Sequence, residues 1–137
     1  MEQDFASNSL CSVTLVEEVY VMDLTKIIEL VNGTVVINGS GEAVDITSVC
    51  SADLLSNVLR YGKKGALLVT CLNQPQVIRS AEISDIPAVL LALGGIPEKD
   101  MLALAREKSI VLITTLLPMY TACGILYVAG LRSCSEE

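Results

Sequence analysis

The sequence predicts an α/β domain whose mainly parallel sheet is built from successive strand–helix units, arranged in two or three layers. Three observations predict it. First, three short aliphatic runs, at 66–70, 87–91 and 109–113, are each followed by a polar turn and then a helical pattern. Apolar runs without alternation are strands buried on both faces, and strand–helix–strand succession requires a parallel sheet with right-handed crossovers. Second, hydrophobic residues make up 52% of the 137, yet aromatics only 4%. The core is therefore Val, Leu, Ile and Ala, the composition of such sheets. Third, the helical patterns open on Pro or Asx residues and several close near Gly. Local and global signals agree.

The elements follow in order. Ser, Asn and acidic residues dominate the first twelve positions, and 13–21 carries a weak strand pattern. Met22 opens a helix with Asp23 as its cap, Leu24, Ile27, Ile28 and Val31 as its apolar face, and Asn32-Gly33 as its end. A domain that begins well at a methionine points to Met22 as the start. Glu17-Glu18-Val19-Tyr20-Val21 is also what a purine-rich ribosome-binding site reads as when translated. The competing reading of 1–21 is a genuine arm or an added edge strand. The nucleotide sequence decides between them: other codons there remove the first reading.

Thr34-Val35-Val36-Ile37 reads as a short strand, Asn38-Gly39-Ser40-Gly41 as a turn and 44–49 as a second extended segment. Ser51 or Asp53 is placed to cap a helix through Leu54, Leu55, Val58 and Leu59 that ends at Gly62. After the 66–70 strand, Asn73-Gln74-Pro75 starts a helix through Val77, Ile78 and Ala81. After the 87–91 strand, Gly94-Gly95 turns, and Pro97-Glu98 begins a helix with Met101, Leu102, Leu104 and Ala105 inside. After the 109–113 strand, Pro118 starts the last helix.

Charge and cysteine content narrow the function classes. The net charge is -7, but 1–21 contributes four acids and no base, and Glu136 and Glu137 contribute two more. The stretch 22–135 holds ten acids and nine bases, so no basic stripe exists for a nucleic acid backbone. Cys11, Cys50, Cys71, Cys123 and Cys134 are odd in number, with no Cys-x-x-Cys. That reads as buried free thiols in a reducing cytoplasm. The 23 residues from 109 to 131 carry no charge, long enough for a membrane helix. The β-branched start, the Thr114-Thr115 break, Pro118, Gly124 and Gly130 favour a strand, a turn and a buried helix. No membrane association is expected. The aliphatic excess leaves apolar surface that fits an oligomer interface.

No side-chain system for catalysis is legible. The chain has no histidine, which removes the Ser-His-Asp and Cys-His nucleophile systems and the commonest metal ligand. Cysteine spacing offers no zinc site, and no cofactor is implied. A Gly-x-x-x-x-Gly-Lys-Ser/Thr loop is absent, and Gly62-Lys63-Lys64-Gly65 is short and precedes a strand, so it reads as a solvated turn. Asp45 and Asp53 are the best carboxylates for a catalytic pair, but a helix cap at Asp53 and a turn anchor at Asp45 explain both more simply. A ligand pocket fits better. Open parallel sheets bind ligands beyond the carboxyl ends of their strands. Those ends carry Thr70, Asn73 and Gln74 at a helix start, which suits an anion or nucleotide, and Thr114 and Thr115. With Asp53 these are the candidate ligand-binding residues. Ordinary loop capping is the plain alternative. Cys71 at a strand end is a candidate redox-sensitive thiol, and Tyr120 and Cys123 read as core or dimer contacts.

Several segments, in order, resemble one family. Asp23-Leu24-Thr25-Lys26-Ile27 is similar to the opening helix of DRTGG domains, and 51–59 resembles their Ser-Asp-Leu-Leu-Ser-Asp-Val stretch, with one residue inserted and Asn for Asp. Leu68-Val69-Thr70 with Asn73-Gln74-Pro75 resembles the next strand and polar turn. Segment 110–115 with Met119-Tyr120-Thr121-Ala122-Cys123-Gly124 resembles the final strand and helix. Asp45-Ile46-Thr47-Ser48-Val49 stands where the namesake Asp-Arg-Thr-Gly-Gly motif is expected, without its Arg and glycines. The resemblance implies an organisation of 1–21 as an extension, 22–131 as the DRTGG-like domain and 132–137 as an acidic tail. It implies a fold like the N-terminal domain of HPr kinase/phosphorylase, without the kinase domain. It further implies a non-catalytic regulatory or scaffolding role, homodimerisation, and a protein partner among redox or hydrogenase-associated proteins. The alternative is a small-ligand sensor for a nucleotide or anion.

Overall fold

The computed structural model describes residues 20–135; most of the weak strand pattern at 13–21, and Glu136-Glu137, lie outside the described residues. The elements are β1 (Met22–Asp23), α1 (Leu24–Leu30), β2 (Thr34–Asn38), β3 (Asp45–Ile46), β4 (Ser48–Ser51), α2 (Leu55–Tyr61), β5 (Ala66–Thr70), α3 (Pro75–Ile83), β6 (Ala88–Leu91), α4 (Lys99–Lys108), β7 (Val111–Thr114) and α5 (Met119–Val128). The main sheet has the order β2-β7-β6-β5-β4. Strands β4 to β7 are mutually parallel, and β2 joins antiparallel to β7 with an irregularity between Val35 and Ile37. The predicted α/β class with a mainly parallel sheet is the one observed.

The two faces of the sheet settle the layer count at three. Strand side chains alternate between faces. Leu67, Val69, Ala88, Leu90 and Ile113 share one core with Leu24 and Ile27 of α1, Val31 just after it, and Ala122 and Leu126 of α5. Leu68, Val89 and Leu112 share the other with Val58 of α2, Val77, Ile78 and Ala81 of α3, and Met101, Leu104 and Ala105 of α4. The three crossover helices α2, α3 and α4 therefore lie on one face. Crossovers of one hand in a sheet extended strand by strand place them so.

Several boundaries differ from the expected ones, each for a local reason. Met22 and Asp23 pair with Ile46 and Asp45 as an antiparallel strand, so the first helix starts at Leu24. Asp23 is its cap as expected, with Oδ1 accepting from the Thr25 N–H at 2.8 Å. Neither Ser51 nor Asp53 caps α2. Ser51 ends β4, and the cap residue is Leu54, with no side-chain bond. Gly62 closes α2 because a Cβ there would lie 2.5 Å from the Val58 carbonyl oxygen. The last strand starts at Val111, not Ser109, because Ser109 takes the left-handed conformation (φ 57°) that ends α4. Residues 109–131 divide into β7, a turn and α5, and among the described residues no helix is long and apolar enough to cross a membrane. Packing also continues past 131. The Val49 N–H donates to Arg132 O at 2.9 Å, the Cys134 N–H donates to Val49 O at 2.8 Å, and Cys134 is buried.

Candidate strand-end site and an uncovered helix

Because β4 to β7 are parallel, Ser51, Thr70, Leu91 and Thr114 end at one edge of the sheet. Asp53 follows β4 there. Its Oδ1 accepts from the Thr70 hydroxyl at 2.7 Å and from the Cys71 N–H at 2.8 Å. Asp53 thus ties the end of β4 to the end of β5. The role of helix cap expected for it is replaced by that of a strand-end clamp, because the chain stays extended through Leu54 and carries the carboxylate over the β5 terminus. Asp45 precedes β4 and Asp53 follows it, so the two carboxylates sit at opposite ends of that strand.

The sequence-derived ligand residues do converge on this edge, but most of their polar groups are already engaged. Thr70 is fully buried, and besides bonding Asp53 its hydroxyl accepts from the Leu72 N–H at 3.2 Å. Thr115 is buried; its hydroxyl donates to Val31 O at 2.7 Å and accepts from the Leu117 N–H at 3.2 Å. Asn73 Nδ2 donates to Ile96 O at 3.0 Å, linking the loops after β5 and β6. Further backbone bonds run from the Leu93 N–H to Leu117 O and from the Gly94 N–H to Thr115 O. Thr114 is half-buried in the sheet beside Leu91 and Thr34. Gln74, exposed at the start of α3, makes no capping bond. The edge is therefore stitched shut by its own loops, and of the set Gln74 and the clamped Asp53 are exposed, Gln74 making no capping bond.

One thiol at this edge, that of Cys71, is shifted toward its protonated form. Burial pushes the Cys71 thiol up, and the charges of Asp53 and Cys123 push it further the same way. A thiol so raised is a poor nucleophile at neutral pH. Cys123 donates to the Ser51 hydroxyl at 3.3 Å, joining α5 to the end of β4. Among the described residues, no group of three or more His, Cys, Asp or Glu side chains is placed to hold a metal ion.

Removing the clamp tests its structural weight. Asp53→Ala is expected to lower the unfolding free energy by about 1–2 kcal/mol, since the exposed carboxylate is partly replaced by water. Urea denaturation measures this, and an unchanged midpoint would show that the two short bonds carry no net stability.

The feature missed by the sequence pattern is the outer side of α5. Its ten residues, Met-Tyr-Thr-Ala-Cys-Gly-Ile-Leu-Tyr-Val, include no charge. A surface helix ordinarily carries a polar face, and one that is apolar all round is ordinarily buried. Here Ala122 and Leu126 point into the core while Tyr120 is 89% and Val128 87% exposed. A shallow groove of about 870 Å³ runs along this side, lined by Leu30, Tyr120, Gly124, Tyr127 and Val128 among others. Tyr120, expected as a core or dimer contact, is not in the core. The absence of any charge across 119–128 was the available signal.

No family model matches the chain, and a comparison with curated proteins finds no match. Among solved structures, it is similar to the CBS and DRTGG domains of the regulatory region of Clostridium perfringens pyrophosphatase, a structure complexed with the activator diadenosine tetraphosphate. The TM-score is 0.65 at 15% identity, over 75% of this chain and 45% of that one. The chain thus spans less than half the length of that structure. At this identity the likeness shows the fold alone.

Proposed function

We propose that this domain is a non-catalytic regulatory or scaffolding module that works by homodimerisation and by contact with a partner protein. The observation that carries the reading is the uncharged α5, with Tyr120 and Val128 standing out of the fold. Exposed contiguous apolar surface mostly marks an interaction site. Supporting it is the engagement of the strand-end polar groups in internal bonds, which leaves little machinery for chemistry or tight ligand capture. In this reading the domain is 22–131 with a short C-terminal continuation, it acts in the cytoplasm, and it is akin to the N-terminal domain of HPr kinase/phosphorylase. Redox or hydrogenase-associated proteins are the partners to seek by co-purification.

The test is mass in solution across a concentration series. The wild-type chain is expected at twice its monomer mass. Val128→Asp is expected at the monomer mass while still folding cooperatively, with a melting temperature lowered only by the contribution of dimerisation, because the substitution itself is exposed in the monomer. A wild-type monomer at high concentration overturns homodimerisation.

The second reading, a sensor of a nucleotide or anion, is favoured by one observation: the similar pyrophosphatase regulatory region is complexed with a nucleotide activator. Exposed Gln74 at the start of α3 would be its outward donor. A nucleotide at a hundred times its dissociation constant would raise stability by about 2.7 kcal/mol, which a thermal-shift series reads directly. No shift with any nucleotide or phosphate leaves the scaffold reading alone.

A further inference from the structure

The C-terminal segment meets the sheet in a way that neither reading uses. Val49 bridges Ser133 in parallel register, through the bonds from the Val49 N–H to Arg132 O and from the Cys134 N–H to Val49 O. The next position along β4 and along the C-terminal segment places Cys50 beside Cys134. Both are 3% exposed, and both lie in the core on the α2–α3–α4 side of the sheet. Their side chains therefore leave the sheet on the same face. Neighbouring strands run about 4.8 Å apart, inside the roughly 4.4–6.8 Å that a disulfide spans between Cα atoms. Both thiols are free.

We propose that Cys50 and Cys134 are a thiol–disulfide latch that fixes the C-terminal segment to the edge strand β4. The sulfurs are close enough for hydrogen bonding. Burial, followed by the Cys134 contact, pushes the Cys50 thiol up to about 12. In the closed fold Cys50 is therefore protonated and shielded. Cys134 sits on a segment held to β4 by two backbone bonds, so few bonds have to break to expose it. With a low-molecular-weight disulfide as oxidant, the Cys134 sulfur attacks one sulfur of it and gives up its proton. A mixed disulfide forms and one small thiol leaves. While the segment is open and Cys50 is still in contact with water, its sulfur displaces the second small thiol, and the Cys50–Cys134 bond forms as the segment returns to β4. Two protein thiols are oxidised, one small disulfide is reduced to two thiols, and the two protons leave with them.

The latch also touches the α5 side of the molecule. The Arg132 guanidinium lies over the Tyr127 ring, 4.9 Å from its centroid, and Tyr127 lines the α5 groove. Latching would hold that stacked pair in place. The proposal itself does not depend on α5 being an interface, since its readout is a covalent bond.

The full chain carrying C11S, C71S and C123S keeps Cys50 and Cys134 as its only thiols. Incubation with oxidised glutathione and mapping without reductant are expected to give one cross-linked peptide pair joining those two residues. Loss of both free thiols should accompany a rise in melting temperature of about 10 °C, reversed by dithiothreitol; closing so long a loop has an effect of that size. The wild-type chain, mapped in parallel, is expected to give the same pair and covers the case in which the triple variant does not fold. C134S in the same background should show neither cross-link nor shift. Folded protein that keeps both thiols free, or that carries only glutathione adducts or other pairings, overturns the latch.

Discussion

Leu90→Ala is expected to lower the unfolding free energy by about 3–5 kcal/mol, the upper part of the range for a buried leucine. Leu90 is fully buried on β6, which is bonded to β5 on one side and β7 on the other. Its side chain lies in the core shared with α1 and α5. A central strand held by both neighbours cannot sink into the space that the lost side chain leaves, so the cavity persists and its full cost appears. Urea denaturation should show a lower midpoint with an unchanged slope. A loss below about 1 kcal/mol would mean that α5 or α1 settles onto the sheet to fill the gap. Domains of this size have a total stability of about 5–15 kcal/mol, so the variant is expected to be marginal.

Thr115→Val is expected to cost about 2–3 kcal/mol, although the two side chains have nearly the same shape. The threonine is 4% exposed, and its hydroxyl joins Val31 O at the end of α1 to the Leu117 N–H after β7. Valine leaves a carbonyl and an amide without this partner while keeping the volume, so the measured loss is that of the hydrogen bonds. The neighbouring half-buried Thr114 is a control, and Thr114→Val should change stability by less than about 1 kcal/mol. Should Thr115→Val prove neutral while abolishing a nucleotide-induced thermal shift, Thr115 would be a ligand contact and the sensor reading would gain.

The strands and helices were largely legible in the sequence because their signals are local. Residues 66–69 and 88–91 are runs of apolar residues, and every residue in them is buried. Pro75 and Pro118 stand at the starts of α3 and α5, as their fixed φ favours. The misplaced boundaries are those where a distant segment decides. Met22–Asp23 became a strand because Asp45–Ile46 lies alongside, and no pattern within 22–31 encodes that neighbour. Asp53 looked like a cap because the residues around it favour one. Its actual partners, Thr70 and Cys71, are seventeen and eighteen residues further on and reach it only through the parallel pairing of β4 with β5.

The candidate site divides in the same way. Sequence reasoning brought Asp53, Thr70, Asn73, Gln74, Thr114 and Thr115 to one edge, because parallel strands end together. It could not tell which of them would be consumed in bonds to one another. Hydroxyl and amide groups are equally suited to a ligand and to a neighbouring loop, and only the loop positions choose between them.

By itself, then, the sequence determined the α/β class, the aliphatic core, the order of strand–helix units and the lack of histidine-based chemistry. Each depends on composition or on periodicity over a few residues. Tertiary structure alone decided three other matters: that the strand-end hydroxyls face inward to partners, that one side of the uncharged α5 is left uncovered, and that Cys50 and Cys134, 84 positions apart, lie side by side where the C-terminal segment bridges β4. These depend on which segments become neighbours. Hydrophobic periodicity says that a face must be buried, whereas the covering segment and the resulting register are set by the packing of the whole chain.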